Sequence, residues 1–364
     1  MKKRFLILTA LLITITTTCI AFANSNNFEK ELATNDTQEL VNKAFAYSKA
    51  NQNKKALKLC DKAITIEPNN EQAYVLKIIS LNNLKKTTEA NTVLNEAIKE
   101  LPNSSILNFQ KGMTIAKNGD LKEALVFLNK SAELEPTDKI YMVIGDLCSN
   151  ANEHEKAIEA YTNAIKINPK LVKAYMGRAK DCGDIGNYKC SLENYETLKK
   201  MYPDNPLYYH MTSLYKTNTK DLDGAMVDID KAISMSKKPE ATFYSQKAWV
   251  YLEKKEYKEA IKYAKEALKI NPNDEYTLGL LTYMAYENKD YKTVIETAQK
   301  SFKYDITAKR NPALYSMYSK ALYQTGNKEE AIKQIEYSIK LAPENKDYQA
   351  TKAKMIVGED IEQK

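Results

Sequence analysis

Two histidines, five cysteines and one tryptophan are the residues of this 364-residue chain whose types most often carry chemistry. A histidine needs a second ligand at helical or turn spacing to hold a metal, or a positioned hydroxyl or carboxylate to move a proton. His154 and His210 stand 56 residues apart, and neither has a companion at metal spacing, so each reads as a surface or groove histidine. With only 10 Gly, no glycine-rich loop for cradling phosphate emerges. No Ser/His/Asp order or paired-carboxylate arrangement emerges either. The composition therefore disfavours an enzyme, and no cofactor or metal is expected. At 43% hydrophobic and 28% charged, the chain has apolar material for a core and is neither disordered nor a multi-span membrane protein.

The first residues form an address. Lys2, Lys3 and Arg4 precede an apolar run from Phe5 to Ile15, and Ala21-Phe22-Ala23 places small residues at the minus-three and minus-one positions. This is the pattern of a secretory signal peptide over residues 1–23, with cleavage after Ala23 and export to a periplasmic or secreted location. The minor alternatives are an uncleaved anchor and a lipoprotein at Cys19; the second wants an aliphatic residue where Thr16 stands. Membrane attachment is expected only by those routes. Cleavage removes three positive charges and no acidic ones, so the formal balance falls from +7 to +4. That mild excess, in an exported chain without a basic stripe, sets nucleic-acid binding aside.

The positioning elements follow a period. Prolines at 68, 102, 136, 169, 203, 239, 272 and 343 are separated by 34, 34, 33, 34, 36, 33 and 71 residues, the last interval holding a repeat that lacks its proline, with Ile306 near the expected place. With the proline counted as position 32, position 8 is small in Ala44, Gly112, Gly145, Ala179 and Ala248. Position 20 is alanine in Ala56, Ala90, Ala124, Ala157, Ala225, Ala260 and Ala331, with Ser191 and Val294 as exceptions. Position 27 is small in eight of nine units, as at Ala63, Ala97, Ser131 and Ala164. Tyrosines such as Tyr47, Tyr141, Tyr161, Tyr175, Tyr195, Tyr244 and Tyr251 at positions 4, 11 and 24 fill the space between.

In this period and these small positions, and in stretches such as EAIKYAKEALKINPND from Glu259 to Asp274, the chain resembles the tetratricopeptide repeat family over residues 37–343. The resemblance implies an all-α fold: a right-handed α-solenoid of about nine helix-turn-helix repeats with a C-terminal capping helix. The repeats are placed at 37–70, 71–104, 105–137, 138–171, 172–205, 206–239, 240–274, 275–311 and 312–343. Residues 24–36 are a polar leader with Asp36 as a helix N-cap, and residues 344–364 hold the capping helix and a tail. Repeat 6 is expected to carry an enlarged turn around Asn218 to Gly224, with its helix A register open by a residue. Repeat 8, without the small residue at 20 and the proline at 32, is followed by an extra linker from Lys309 to Asn311. These two places are the expected breaks in the superhelix.

The resemblance also implies a ligand groove. In the family, positions 5 and 9 of helix A commonly line the concave wall, and here they carry Val41, Phe45, Val75, Ile79, Phe109, Met113, Met142, Met176, Trp249 and Tyr283. Two readings stay open: a partner's apolar or amphipathic peptide segment, or burial of these residues within the array itself, including under the leader. The carboxylate clamp of many family members is not reproduced, since Val41, Phe45 and Leu76 stand at clamp positions, and Lys139, Lys173 and Lys180 lack their Asn partners. A column at position 7, Lys43, Lys77, Lys111, Arg178 and Lys247, reads as long stems packed across a neighbouring helix. Cys60, Cys148 and Cys182 fall at core positions. Cys182 and Cys190 face each other across the A–B turn of repeat 5, either as a disulfide or as two thiols. The function implied is an exported protein-interaction scaffold, chaperone or adaptor with a protein or peptide partner; a self-assembling envelope protein and an enzyme with an unrecognised site are the alternatives.

Overall fold

The computed structural model describes residues 28–304 and 307–361. The signal segment 1–23 and Ile306 lie outside the described residues. Among those described there are helices and turns and no strand.

A short helix, α1 (Phe28–Ala33), precedes nine helical hairpins. They are α2 (Thr37–Lys49) with α3 (Asn53–Ile66), α4 (Glu71–Asn83) with α5 (Thr87–Glu100), and α6 (Ser105–Lys117) with α7 (Leu121–Leu134). Next come α8 (Asp138–Asn150) with α9 (His154–Ile167), α10 (Val172–Asp184) with α11 (Tyr188–Met201), and α12 (Pro206–Asn218) with α13 (Leu222–Met235). The last three are α14 (Ala241–Glu253) with α15 (Tyr257–Ile270), α16 (Glu275–Glu287) with α17 (Tyr291–Tyr304), and α18 (Pro312–Gln324) with α19 (Lys328–Leu341). Helix α20 (Lys346–Val357) follows, closed by Gly358 in the left-handed region at φ 78°.

Two local signals cut the chain into these lengths. A polar side chain just before each of most A helices accepts backbone N–H groups of the first turn: Asp36, Asn70, Ser104, Thr137, Asn205, Asp274, Asn311 and Asn345. The periodic proline stands two or three residues before the next helix begins, where it ends the preceding helix and biases the chain toward extended backbone. The second signal is the A–B turn, three residues long in every repeat, whose middle residue has positive φ. Asn51, Lys85, Asn152, Lys220, Lys255 and Lys289 take that conformation alongside Gly119, Gly186 and Gly326. As a result every A helix of the nine hairpins has 13 residues and every B helix 14.

The small-residue columns mark where the two helices of a hairpin cross. A methyl group added at Gly112 would lie 2.6 Å from Leu128 Cγ and 2.9 Å from the carbonyl oxygen of Ala124, the position-20 residue of the same repeat. One added at Gly145 would lie 2.6 Å from the Tyr161 ring. Every position-20 alanine other than Ala90 is fully buried and Ala90 is 1% exposed. Leu59, Leu94, Leu107 and Leu128 are closed off in the same layers, each contributing roughly 1.5–3 kcal/mol by leaving water.

Three expectations change. The enlarged turn of repeat 6 is absent: Thr219–Asp221 is a three-residue turn like the others, which puts position 5 at His210 and position 9 at Leu214. The additional residues fall after α13, in the five-residue link 236–240. The leader is not merely polar, because α1 packs Phe28 and Leu32 on the core of repeat 1 and Glu31 is buried, accepting the Tyr47 hydroxyl at 2.7 Å. The linker after repeat 8 is folded into a 3-10 turn, Ala308–Arg310, with Ala308 buried in the core of the last repeats. The chain packs as two compact units, the first ending at Asp181 and the second beginning at Cys182, inside α10. Each unit is a segment of α-solenoid with its core running between successive hairpins.

Candidate functional site

In the first unit, the A-helix residues at positions 5 and 9 sit at the edge of the core. Val41 is 4% exposed and belongs to the core of repeat 1, not to a groove; the cluster it joins is covered by Phe28 and Leu32 of α1. Phe45 is half-buried against that cluster, with Lys49 Nζ 5.5 Å from its ring centroid. Val75 is half-buried beside the core of repeats 2 and 3, and Ile79 is exposed. Phe109, Met113 and Met142 meet on one cluster, half-buried, and Lys139 Nζ lies 5.8 Å from the Phe109 centroid. Met176, also half-buried, completes the column. The column breaks at Asp146, position 9 of repeat 4, whose carboxylate accepts the Tyr161 hydroxyl at 2.8 Å.

In the second unit Trp249 is half-buried and donates from Nε1 to Glu253 Oε1 at 3.2 Å, while Tyr283 is exposed. His210 lies against Phe243 with 5.0 Å between ring centroids and the planes tilted by 41°, and no hydrogen bond reaches its buried Nδ1. Burial holds the His210 pKa down at about 4. It is therefore a neutral, half-buried histidine and not a surface one.

His154, the first residue of α9, is also drawn inward. Its Nδ1 lies 2.7 Å from the fully buried Asp181 carboxylate. Sequence spacing of 27 residues hides this pair, because only the stacking of repeat 5 on repeat 4 brings the end of α10 back to the start of α9. A second pairing hidden in the sequence is the nearly buried Asp228, which holds Lys216 Nζ at 2.6 Å and Lys199 Nζ at 3.1 Å. Lys199 also reaches Glu196 at 2.9 Å, so the charges balance within the group.

The position-7 column behaves as its stem lengths suggest, with each head group landing on a neighbouring polar group. Lys43 pairs with Glu39, Lys77 with Asp61 and Lys247 with Asp230, while Lys111 and Arg178 donate to Asn95 and Thr162. Cys60 and Cys148 are buried free thiols, and burial pushes Cys60 up to about 12. Cys182 and Cys190 are bonded across the A–B turn of repeat 5, with Cα atoms 5.9 Å apart.

Models of the tetratricopeptide repeat match residues 40–70, 138–171, 241–274 and 312–345. Those segments coincide with hairpins 1, 4, 7 and 9, and the remaining hairpins share their helix lengths and turn geometry. The chain is a tetratricopeptide repeat protein. A TPR repeat-containing protein of Methanocaldococcus jannaschii is 22% identical over 267 residues, covering 73% of this chain and 43% of that protein. Anaphase-promoting complex subunit 3 of Schizosaccharomyces pombe is 24% identical over 179 residues, 49% of this chain and 27% of the subunit. The chain thus spans less than half the length of these curated relatives. The solved structure of Naa15/Naa10 bound to HypK-THB aligns with a TM-score of 0.52 over 88% of this chain and 66% of that one, at 13% identity, a likeness of fold alone. No helix among the described residues is long and apolar enough to cross a membrane.

Proposed function

We propose that this tetratricopeptide repeat protein is an exported, non-enzymatic interaction scaffold or adaptor that binds an apolar or amphipathic segment of another protein along the A helices of repeats 1–5. The observation that carries this reading is the set Val75, Ile79, Phe109, Met113, Met142 and Met176. These side chains keep part of their apolar surface in water beside a core that is otherwise closed. Methionine adds an adaptable contact surface, and the lysines over Phe45 and Phe109 add donors for an acidic rim on the partner. Export draws on the basic-apolar-small pattern of residues 1–23, and the bonded Cys182–Cys190 pair suits an oxidising compartment.

One variant tests the binding reading. Phe109→Ser should cost no more than about 2 kcal/mol in a thermal or denaturant melt, because the ring is only partly withdrawn from water, yet it should abolish capture of a partner crosslinked at this face. A loss of about 3 kcal/mol or more would mark Phe109 as core and remove the face from consideration. Export is read from intact mass: protein recovered from the envelope should begin at Asn24, and a mature chain retaining Met1 or carrying lipid at Cys19 would overturn it.

A further inference from the structure

The A-helix face changes chemistry in the second unit. In repeats 1–5, position 5 holds Val, Phe or Met; in repeats 7, 8 and 9 it holds Ser245, Gly279 and Ser316. A methyl group added at Gly279 would meet nothing within 4 Å, so the face is open there, whereas Ser245 and Ser316 are buried. One turn further along two of these helices stands an aromatic ring, and one turn beyond that a carboxylate: Trp249 and Glu253 on α14, Tyr283 and Glu287 on α16, whereas α18 carries Lys320 and Gln324. Both pairs are spaced four residues apart on one helix face and recur 34 residues later. The first unit has the opposite charge at this rim, with Lys49 and Lys117 at position 13.

The two pairs form one surface. Trp249 donates to Glu253, and the Tyr283 hydroxyl is held above its ordinary range by burial and then by Glu287, Tyr257 and Glu253. Tyr283 is 44% exposed, and Glu287 is exposed too. Elsewhere this chain covers ring faces with its own lysines, as Lys247 does over Tyr263 at 4.3 Å and Lys320 over Tyr286 at 5.9 Å. Among the described residues no lysine or arginine stands over Trp249, Tyr257 or Tyr283. Glu253 is paired with the exposed Lys220, whose Nζ lies 2.5 Å from its second oxygen, so a partner's cation at this carboxylate would exchange with the chain's own.

We propose that the A-helix face of repeats 7 and 8 docks an extended partner segment bearing two Lys or Arg side chains, each seated on one ring and one carboxylate. Stacked helices lie about 8–10 Å apart, and an extended chain rises about 3.3 Å per residue, so the two basic residues stand about three positions apart. The inference rests on the reading that the A-helix face carries a ligand, and it names the chemistry of that face in the second unit. Attraction comes from ring faces and carboxylates acting on the same cation at a partly solvated site, so binding should weaken with salt.

Trp249 is the chain's one tryptophan and reports the site directly. The probe is the peptide acetyl-Gly-Ser-Lys-Gly-Ser-Lys-Gly-Ser-amide, titrated into the full chain while tryptophan emission is followed. Two matched peptides carry Leu or Glu in place of both Lys. The expected result is a saturable change with the Lys peptide and none with the Glu peptide, with binding weakened roughly tenfold by Glu253→Gln combined with Glu287→Gln. A similar loss is expected on raising salt to about 1 M. Unchanged circular dichroism shows that the double variant has folded, and Tyr283→Ala, which leaves both carboxylates in place, should weaken binding as well. A response to the Leu peptide alone would overturn the proposal while leaving an apolar A-helix site intact. No response to the Lys or the Leu peptide would overturn both readings for this unit, and a salt-independent response to the Lys peptide would overturn the electrostatic basis.

Discussion

Lys85, Lys220, Lys255 and Lys289 hold left-handed backbone at φ 61°, 66°, 61° and 59°, a region in which a side chain crowds the adjacent carbonyl. Gly119, Gly186 and Gly326 fill the same turn position without that cost. Lys85→Gly should therefore raise stability by about 1 kcal/mol, seen as a higher melting temperature, and a fall would mean that the lysine side chain has a role of its own in the turn. His210 is the second residue-scale test. Its folded pKa, about 4, lies below the ordinary value of 6.5, so between these two pH values the unfolded chain binds the proton and the folded chain does not. Its contribution to stability is complete above about pH 6.5 and is lost progressively toward pH 4, by roughly 3 kcal/mol in all. His210→Leu should flatten that part of the stability profile relative to the parent chain; identical slopes in the two proteins would show that the imidazole is hydrated. Neither feature could be read from residue type: lysine has no turn preference that marks it, and His210 looked like a solvent-facing residue until Phe243 of the next repeat closed over it.

At the scale of the helical hairpin, the argument turns on crossings too close for a side chain larger than a methyl. Ala157 is fully buried among Cys148, Ala160, Tyr161 and Ala174. Ala157→Leu should overpack repeat 4 and cost on the order of 1–3 kcal/mol by denaturant titration, whereas no measurable change would remove the crossing argument. The crossings were legible in the sequence because they repeat: a small residue recurring in phase at position 20 has a steric reason that one alanine alone does not. The spacing of repeat 6 was misread for a related reason. The proline interval stretches to 36 residues at Pro239, while Asn205, Asp221 and Ala225 place both helices of repeat 6 in the common register, so the added length lies after α13 and not in the turn. The bonded pair Cys182–Cys190 was reachable by the same phase, since positions 11 and 19 face each other across the turn.

For the whole molecule, repeats coupled only to their neighbours should lose structure locally. In Ala157→Leu, hydrogen exchange should speed up in repeats 3–5 and remain unchanged in repeats 7–9, and uniform loss of protection along the chain would contradict neighbour-only coupling. What the amino-acid order determined by itself was everything that recurs: the all-helical class, the succession of helical hairpins, and the columns of small and bulky residues between them. Repetition averages away the ambiguity of any single segment, so a weak local signal becomes decisive nine times over. What only the tertiary structure decided was everything that happens once. The burial of Val41 under α1, the His154–Asp181 contact, the neutral His210 and the Trp249–Glu253 pair beside Tyr283 each depend on how one hairpin lies against the next. Exposure belongs to the packed neighbours of a residue as much as to the residue, and a helix-phase argument cannot say which half of an amphipathic face those neighbours leave in water.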